Sequence, residues 1–228
     1  MELSSGVRAR FMRVDPAAIG HHISRGFMRK EIKPVEDTMK VAGVAYTVMC
    51  PERDSSALYY ALQKAPKGSV IVISRAGDDT FACCGEFIAM MAMHRGMAGI
   101  VVDGPATDKL ALKAMGFPVF CSGFSPVTSN VTGTSGEVDI PITCGGAVVE
   151  PGDIILGDAD GVIVVPQDYE PVLVDAEEKA AQEAERRAAV KEEGYRFVRR
   201  EDFDAVKFFE YNVTGAIARV KKDHCPGR

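Results

Sequence analysis

At 228 residues, with 46% apolar and 26% charged side chains, the chain can bury the core of one domain with appendages, which excludes a tail or a linker. Its formal net charge of −5 argues against tight nucleic-acid binding, which rests on a basic patch that displaces counterions from phosphate. The stretch Met1–Asp15 is polar and basic without the apolar core of a secretory signal, and no run approaches the roughly 20 apolar residues of a membrane span, so a cytoplasmic protein is expected.

In chain order, Val41–Met49 reads as a strand, and Asp54 is placed to cap an amphipathic helix running to Ala65, with Leu58, Ala61 and Leu62 on one face. Pro66-Lys67-Gly68 stops that helix. Val70–Ile73 is wholly apolar, as suits a strand covered on both sheet faces. After the loop Ala76-Gly77-Asp78-Asp79, a helix is predicted from Glu86 to His94, ended by Gly96. Ile100–Val102 is again a buried strand, Asp108–Met115 a helix and Pro118–Cys121 a strand. This alternation with short connections predicts a largely parallel sheet layered with helices. From Val131 to Val165 short strands between glycine turns predict antiparallel or mixed pairing. A long charged helix follows, Tyr169–Glu193, expected to present a solvated face or a subunit contact, with a short helix at Asp202–Tyr211 beyond it.

Six cysteines, at 50, 83, 84, 121, 144 and 225, show no C-x-x-C pair and read as structural free thiols. Asp158-Ala159-Asp160-Gly161 has the start of a calcium loop but not its later ligands, so a hairpin turn is expected. Asp78-Asp79 reads as a solvated acidic pair in a glycine loop.

Two places carry chemistry. Gly85-Glu86 opens a helix whose first N–H groups lack intrahelical partners and so attract anions, although an acidic first turn is also favoured by the helix dipole alone. Asp103 and Asp108 flank a glycine-proline turn at the carboxyl end of a strand, where parallel α/β sheets hold ligands. An aspartate there can give one oxygen to Mg2+; Asp108 is also well placed to cap the helix that follows, and local context alone favours that reading.

Gly85-Glu86-Phe87-Ile88-Ala89, the 20-residue gap to Thr107-Asp108, and Phe117-Pro118-Val119-Phe120 together resemble the G-[ED]-x20-R-D region of the RraA-like family. That family includes 4-hydroxy-4-methyl-2-oxoglutarate and 4-carboxy-4-hydroxy-2-oxoadipate aldolases. Gly145–Asp153, Asp158–Pro166 and Gly43–Val48 fit as well, so the resemblance spans roughly residues 32–194. It implies an α/β fold, a swivelling β/β/α domain of the RraA-like type (32–194) with a long charged C-terminal helix, preceded by an N-terminal helical segment (1–31) and followed by an extension (195–228). It further implies a homotrimer or homohexamer with active sites between subunits.

By the same resemblance Asp108 binds Mg2+ or Mn2+, Glu86 supports catalysis through water, and Gly85, Glu86, Phe87 and Thr107 bind a 2-oxo acid. Glu183 and Glu185 are the candidates to reach the site from a neighbouring subunit. The activity implied is metal-dependent cleavage of 4-hydroxy-2-oxo acids to pyruvate, with oxaloacetate decarboxylation through the same enolate; the alternative is a non-catalytic regulator of a partner enzyme such as a ribonuclease. One departure stands out: Thr107 occupies the place of the family's substrate-contacting arginine, and loss of such a preorganised charge commonly lowers rate by about 10²–10³. A second is at His21-His22, where the family has an aspartate; the pair reads as a surface or structural pair, or else as a base or extra ligand near the site.

Overall fold

A computed structural model describes residues 3–193. The expected helix at Asp202–Tyr211, together with Cys225, lies outside the described residues. Two helices, α1 (Ser5–Phe11) and α2 (Pro16–Gly20), precede the short strand β1 (Lys33–Pro34). Then follow β2 (Val41–Met49), α3 (Ser56–Lys64), β3 (Val70–Ser74), α4 (Glu86–His94), β4 (Gly99–Asp103), β5 (Pro105–Ala106), α5 (Lys109–Met115), β6 (Val119–Cys121) and β7 (Gly123–Phe124). The remaining elements are β8 (Glu137–Val138), β9 (Ile142–Cys144), β10 (Ala147–Val149), β11 (Ile154–Asp158), β12 (Gly161–Val165) and α6 (Glu170–Glu193).

The main sheet runs β1-β6-β4-β3-β2-β11-β12, with β8 alongside β2. The β-α-β series forms its parallel centre, β2, β3, β4 and β6, because each helix carries the chain back to the same end of the sheet. The glycine-rich second half supplies the antiparallel members as expected: β11 lies antiparallel to β2, and β12 to β11, across the Ala159-Asp160 turn. The Asp160 N–H is held by the Asp158 carboxylate at 2.9 Å, so this acidic turn is a hairpin. Lys33, on β1 at the far edge, donates its ammonium to the Ala159 and Asp160 carbonyls, which nearly closes the sheet on itself.

Period-two alternation sorts the strands between separate apolar cores. Ile71 and Ile73 of β3 and Ile100 and Val102 of β4 point to α3, α4 and α5. Val70, Val72 and Val101 point instead to the enclosed side, where Phe120, Ile155 and the β9–β10 hairpin fill the interior. On β2 the outer face changes partner along its length: Ala42 and Val44 meet α1, α2 and α6 through Phe11, Ile19, Leu173 and Ala176, and Val48 meets α3. Gly43 marks the crossover, since a Cβ there would lie 2.5 Å from the Gly68 carbonyl oxygen. The first turns of α6 are thus built into a core through one face and keep the other exposed; Arg10 fixes them with bonds to Glu170 and Glu177. Contacts divide the chain after Ala180, and in the second unit the described residues continue α6, with Glu183 and Arg187 4.0 Å apart. No helix among the described residues is long and apolar enough to cross a membrane.

Candidate active site

The helix start and the aspartate singled out from sequence meet at the carboxyl ends of β3, β4 and β6. The chain leaves β4 through Gly104, where a side chain would strike Arg75, and Thr107 then donates its N–H to the Cys84 carbonyl at 2.9 Å. That bond, with the bridge between Cys84 and Ala106, lays Thr107-Asp108 directly against Gly85-Glu86. Gly85 is required by the approach: its Cβ would sit 2.5 Å from both Asp108 Oδ2 and Thr107 Cγ2.

Asp108 occupies the N-cap position of α5 but does not cap it. Its backbone is left-handed (φ 57°, ψ 41°), which turns the carboxylate away from its own helix. Oδ2 instead accepts the Glu86 N–H, the first of α4, at 3.0 Å, and Oδ1 lies 3.5 Å from the Thr107 hydroxyl. The side chain is exposed, as are Glu86 and Phe87. A left-handed non-glycine residue costs on the order of 1 kcal/mol and is kept where the surroundings over-determine it. Here it delivers a carboxylate with unused lone pairs to a helix N-terminus. The first intrahelical bond of α4 runs from Ala89 to the Gly85 carbonyl, and the Glu86 N–H is taken by Asp108, so the N–H groups of Phe87 and Ile88 remain to face an anion.

This donor set fits a hard divalent cation. Among the described residues no three His, Cys, Asp or Glu side chains converge, as a structural zinc site would need. Mg2+ or Mn2+ is bound through one or two carboxylates, with waters and substrate oxygens completing the octahedron. Asp108, with Glu86 beside it, meets that requirement.

The other candidates go elsewhere. The Asp103 carboxylate accepts the Gly145 N–H at 2.8 Å and pairs with Arg29, tying β4 to the β9–β10 hairpin. His22 lies 3.7 Å from Asp175 of α6. Glu183 and Glu185 sit on α6 beyond Ala180, half-exposed and exposed respectively. The Asp78-Asp79 pair is not simply solvated, because Asp78 binds Arg75 at 2.5 Å. The five described cysteines are buried, free thiols; burial raises all of them, Cys50 to about 12 and Cys83 to about 11, so none is a ready nucleophile.

Sequence reasoning missed two polar hubs that hold the loops around the site. Arg75, fully buried at the end of β3, donates to the Cys50 and Glu52 carbonyls as well as to Asp78. Asp54 does more than hold the first turn of α3. Besides the Ser56 N–H and hydroxyl, its carboxylate accepts the N–H groups of Thr132, Thr134 and Ser135 and the Thr134 hydroxyl, which holds it well below the usual carboxylate range. The run of small polar residues Thr132–Ser135 was the available signal, for such residues offer backbone donors at little steric cost.

Residues 17–164 match the RraA-like family, described as Aldolase/RraA. A protein of Halalkalibacterium halodurans, named as a candidate 4-hydroxy-4-methyl-2-oxoglutarate aldolase, is 44% identical over 160 residues, covering 70% of this chain and 76% of its own. The crystal structure of Streptomyces coelicolor RraAS2, described as an unusual member of the RNase ES inhibitor RraA family, superposes with a TM-score of 0.72 at 26% identity, over 82% of this chain and 98% of that one. An uncharacterized protein from Pseudomonas syringae pv. tomato gives a TM-score of 0.71 at 26% identity, over 86% and 92%. With the family match covering well over half its length and the fold shared with these structures, the chain belongs to the RraA-like family.

Proposed function

We propose that this protein is a divalent-metal-dependent lyase that cleaves 4-hydroxy-2-oxo acids to release pyruvate, and that the same site decarboxylates oxaloacetate. The observation that carries the reading is the Asp108 carboxylate, turned out of its own helix and held at the N-terminus of α4. Asp108 would hold Mg2+ or Mn2+, which when bound supplies a Lewis acid toward the carboxylate and oxo oxygens of the substrate. The free N–H groups at the start of α4 orient the substrate carboxylate, assisted by the positive end of the helix dipole. Glu86, exposed beside Asp108, takes the proton of the 4-hydroxyl through water as the C3–C4 bond breaks, and its conjugate acid returns a proton to C3 of the pyruvate enolate. In oxaloacetate the C3–C4 bond breaks to carbon dioxide and leaves the same enolate; with no 4-hydroxyl to supply it, the proton that Glu86 passes to C3 comes from solvent water.

Thr107 adds a neutral hydroxyl next to Asp108 where a cation would do more for the enolate, so a slower enzyme than an arginine-bearing relative is expected. In this reading Glu183 or Glu185 of a neighbouring copy joins the site in a cytoplasmic homotrimer or homohexamer, and the domain proper is the segment 32–194. Thr107 also favours a second reading, a non-catalytic regulator of a partner enzyme such as a ribonuclease, in keeping with the name of the Streptomyces relative.

Pyruvate release with and without Mg2+, across oxaloacetate and several 4-hydroxy-2-oxo acids, separates the two. Metal-dependent release that disappears in Asp108→Ala supports the lyase. Equal turnover by Asp108→Ala and the parent after metal repletion removes the metal site, and no release from any substrate by the parent favours the regulator.

A further inference from the structure

A cavity of about 500 Å³ shares no residue with the candidate active site. Its size falls in the range of small-molecule sites, about 300–1,000 Å³. Part of its wall is the segment Arg25–Phe27, which adds a short edge to β12: Phe27 bridges Ile163, and the Val164 N–H bonds the Gly26 carbonyl at 2.8 Å. Gly26 permits this approach, since its backbone is left-handed (φ 91°) and a Cβ there would strike the Val164 carbonyl oxygen. Val148 of β10, and Glu150 and Asp153 of the turn that follows, also line the cavity.

Three charges face this space without satisfying one another. Asp153 is only 9% exposed; one of its oxygens accepts the Glu150 N–H at 2.9 Å, and the other has no hydrogen-bond partner among the described residues. Leaving such an oxygen unmet is costly unless something in the cavity reaches it. Burial pushes the Asp153 carboxyl up and the Glu150 charge adds to that, while the Glu150 N–H and the Arg25 charge oppose it. Arg25 thus acts on Asp153 through space but does not pair with it, and neither Arg25 nor Glu150 has an ion-pair partner among the described residues. Opposite charges held apart across one cavity complement a ligand that carries both signs. Beside them Phe27 and Val148 are 48% and 62% exposed, apolar surface that an apolar body would cover.

We propose that this cavity is a binding site for a free α-amino acid with an apolar side chain. Its ammonium group meets Asp153 and Glu150, its carboxylate meets Arg25, and its side chain covers Phe27 and Val148. A 2-oxo acid carries negative charge alone, which Asp153 and Glu150 repel, so the ligand differs in kind from the substrate of the lyase reading. The site stands independently of that reading.

The test is calorimetric binding to the full chain of L-leucine and L-phenylalanine, of the acids that lack their amine, 4-methylpentanoate and 3-phenylpropanoate, and of the amines that lack their carboxylate, 3-methylbutylamine and 2-phenylethylamine. The parent is expected to bind at least one amino acid saturably, one per chain, and about tenfold or more tighter than the matching acid or amine. Arg25→Gln brings the amino acid down to the level of the amine, Glu150→Gln narrows its lead over the acid, and Asp153→Asn removes that lead. Arg25 and Glu150 are exposed, so their variants keep the test decisive even where Asp153→Asn loosens the turn that it holds. Binding that persists in Asp108→Ala places the ligand outside the candidate active site. Loss of binding in Asp108→Ala, no saturable binding of either amino acid up to about 10 mM, equal affinity for amino acid, acid and amine, or affinities unchanged in both Arg25→Gln and Glu150→Gln overturns the proposal. Because no turnover is read, failure of the lyase reading leaves this result untouched, and the converse holds.

Discussion

Gly85→Ala is the smallest change that addresses the site without touching a charged group. Gly85 has an extended backbone (φ −147°, ψ −164°) that any residue adopts, so its effect arises from contact alone. The new methyl would lie 2.5 Å from Asp108 Oδ2 and Thr107 Cγ2, and ordinary contact begins near 3.4 Å, so the 107–108 turn must retreat by about 0.9 Å. That retreat takes the Glu86 N–H to Oδ2 bond, now 3.0 Å, beyond hydrogen-bond range. Because the site is exposed, the stability lost is about 1 kcal/mol, or roughly 2–4 °C in Tm for a chain of this size. A reacting group displaced by about 1 Å commonly loses 10²-fold in rate. The expected result is therefore a folded protein with about one hundredth of the parent's Mg2+-dependent pyruvate release in a coupled dehydrogenase assay. Gly123→Ala is the control: it makes the same chemical change on nearby β7, where a Cβ meets nothing within 4 Å, and should leave rate and Tm unaltered. Activity in Gly85→Ala within threefold of the parent would refute the contact argument, and a Tm loss above about 10 °C would show that the glycine serves the fold rather than the site.

Two further predictions concern the polar hubs. Asp54→Asn replaces an acceptor-only carboxylate by a group whose amide nitrogen faces N–H donors, so its Tm at neutral pH should fall below the parent's. Because the folded carboxylate titrates below its unfolded value, its stabilisation is complete above the unfolded pKa of about 3.9 and is lost as pH falls below it; thermal melts from pH 7 to 2.5 should therefore show the gap between parent and variant narrowing only below about pH 4, and a gap independent of pH would contradict this. Arg75→Met leaves Asp78 and two carbonyls without their buried donor and should cost about 3–5 kcal/mol, near 10 °C in Tm, with Arg75→Met/Asp78→Asn recovering part of it. Chemical denaturation that shows the double variant no more stable than the single one would remove the ion pair as the cause.

The parallel centre of the sheet was legible because its signals are local: wholly apolar runs such as Val70–Ile73, capped amphipathic helices and short links leave few topologies. Gly85, Glu86 and Asp108 were found by their spacing, and the structure brings them into one place. Less was legible wherever a side chain's partner lies far along the chain. Asp54 was read as a cap because an amphipathic helix follows it, whereas Thr132, Thr134 and Ser135 lie on a loop about 80 residues on. Arg75 is invisible for the same reason: its neighbours in sequence form an ordinary glycine loop, and only the folded backbone shows that it is enclosed by carbonyls. The buried face of the first turns of α6 was hard to read because Leu173 and Ala176 are sparse apolar marks among many charges, yet two such residues suffice once α1 supplies Phe11 opposite them.

At Asp108 local reasoning offered two answers, and helix-capping preference favoured the simpler one. An aspartate before a helix is ordinarily satisfied by its own N2 or N3 amide, and that bond leaves its oxygens less available to a ligand. The left-handed turn at 108 separates position from function: the residue keeps the N-cap place while its carboxylate serves the start of another helix, one chain crossing away. Sequence rules fail where an environment imposes a conformation that local preference opposes, and such places gather at sites of function.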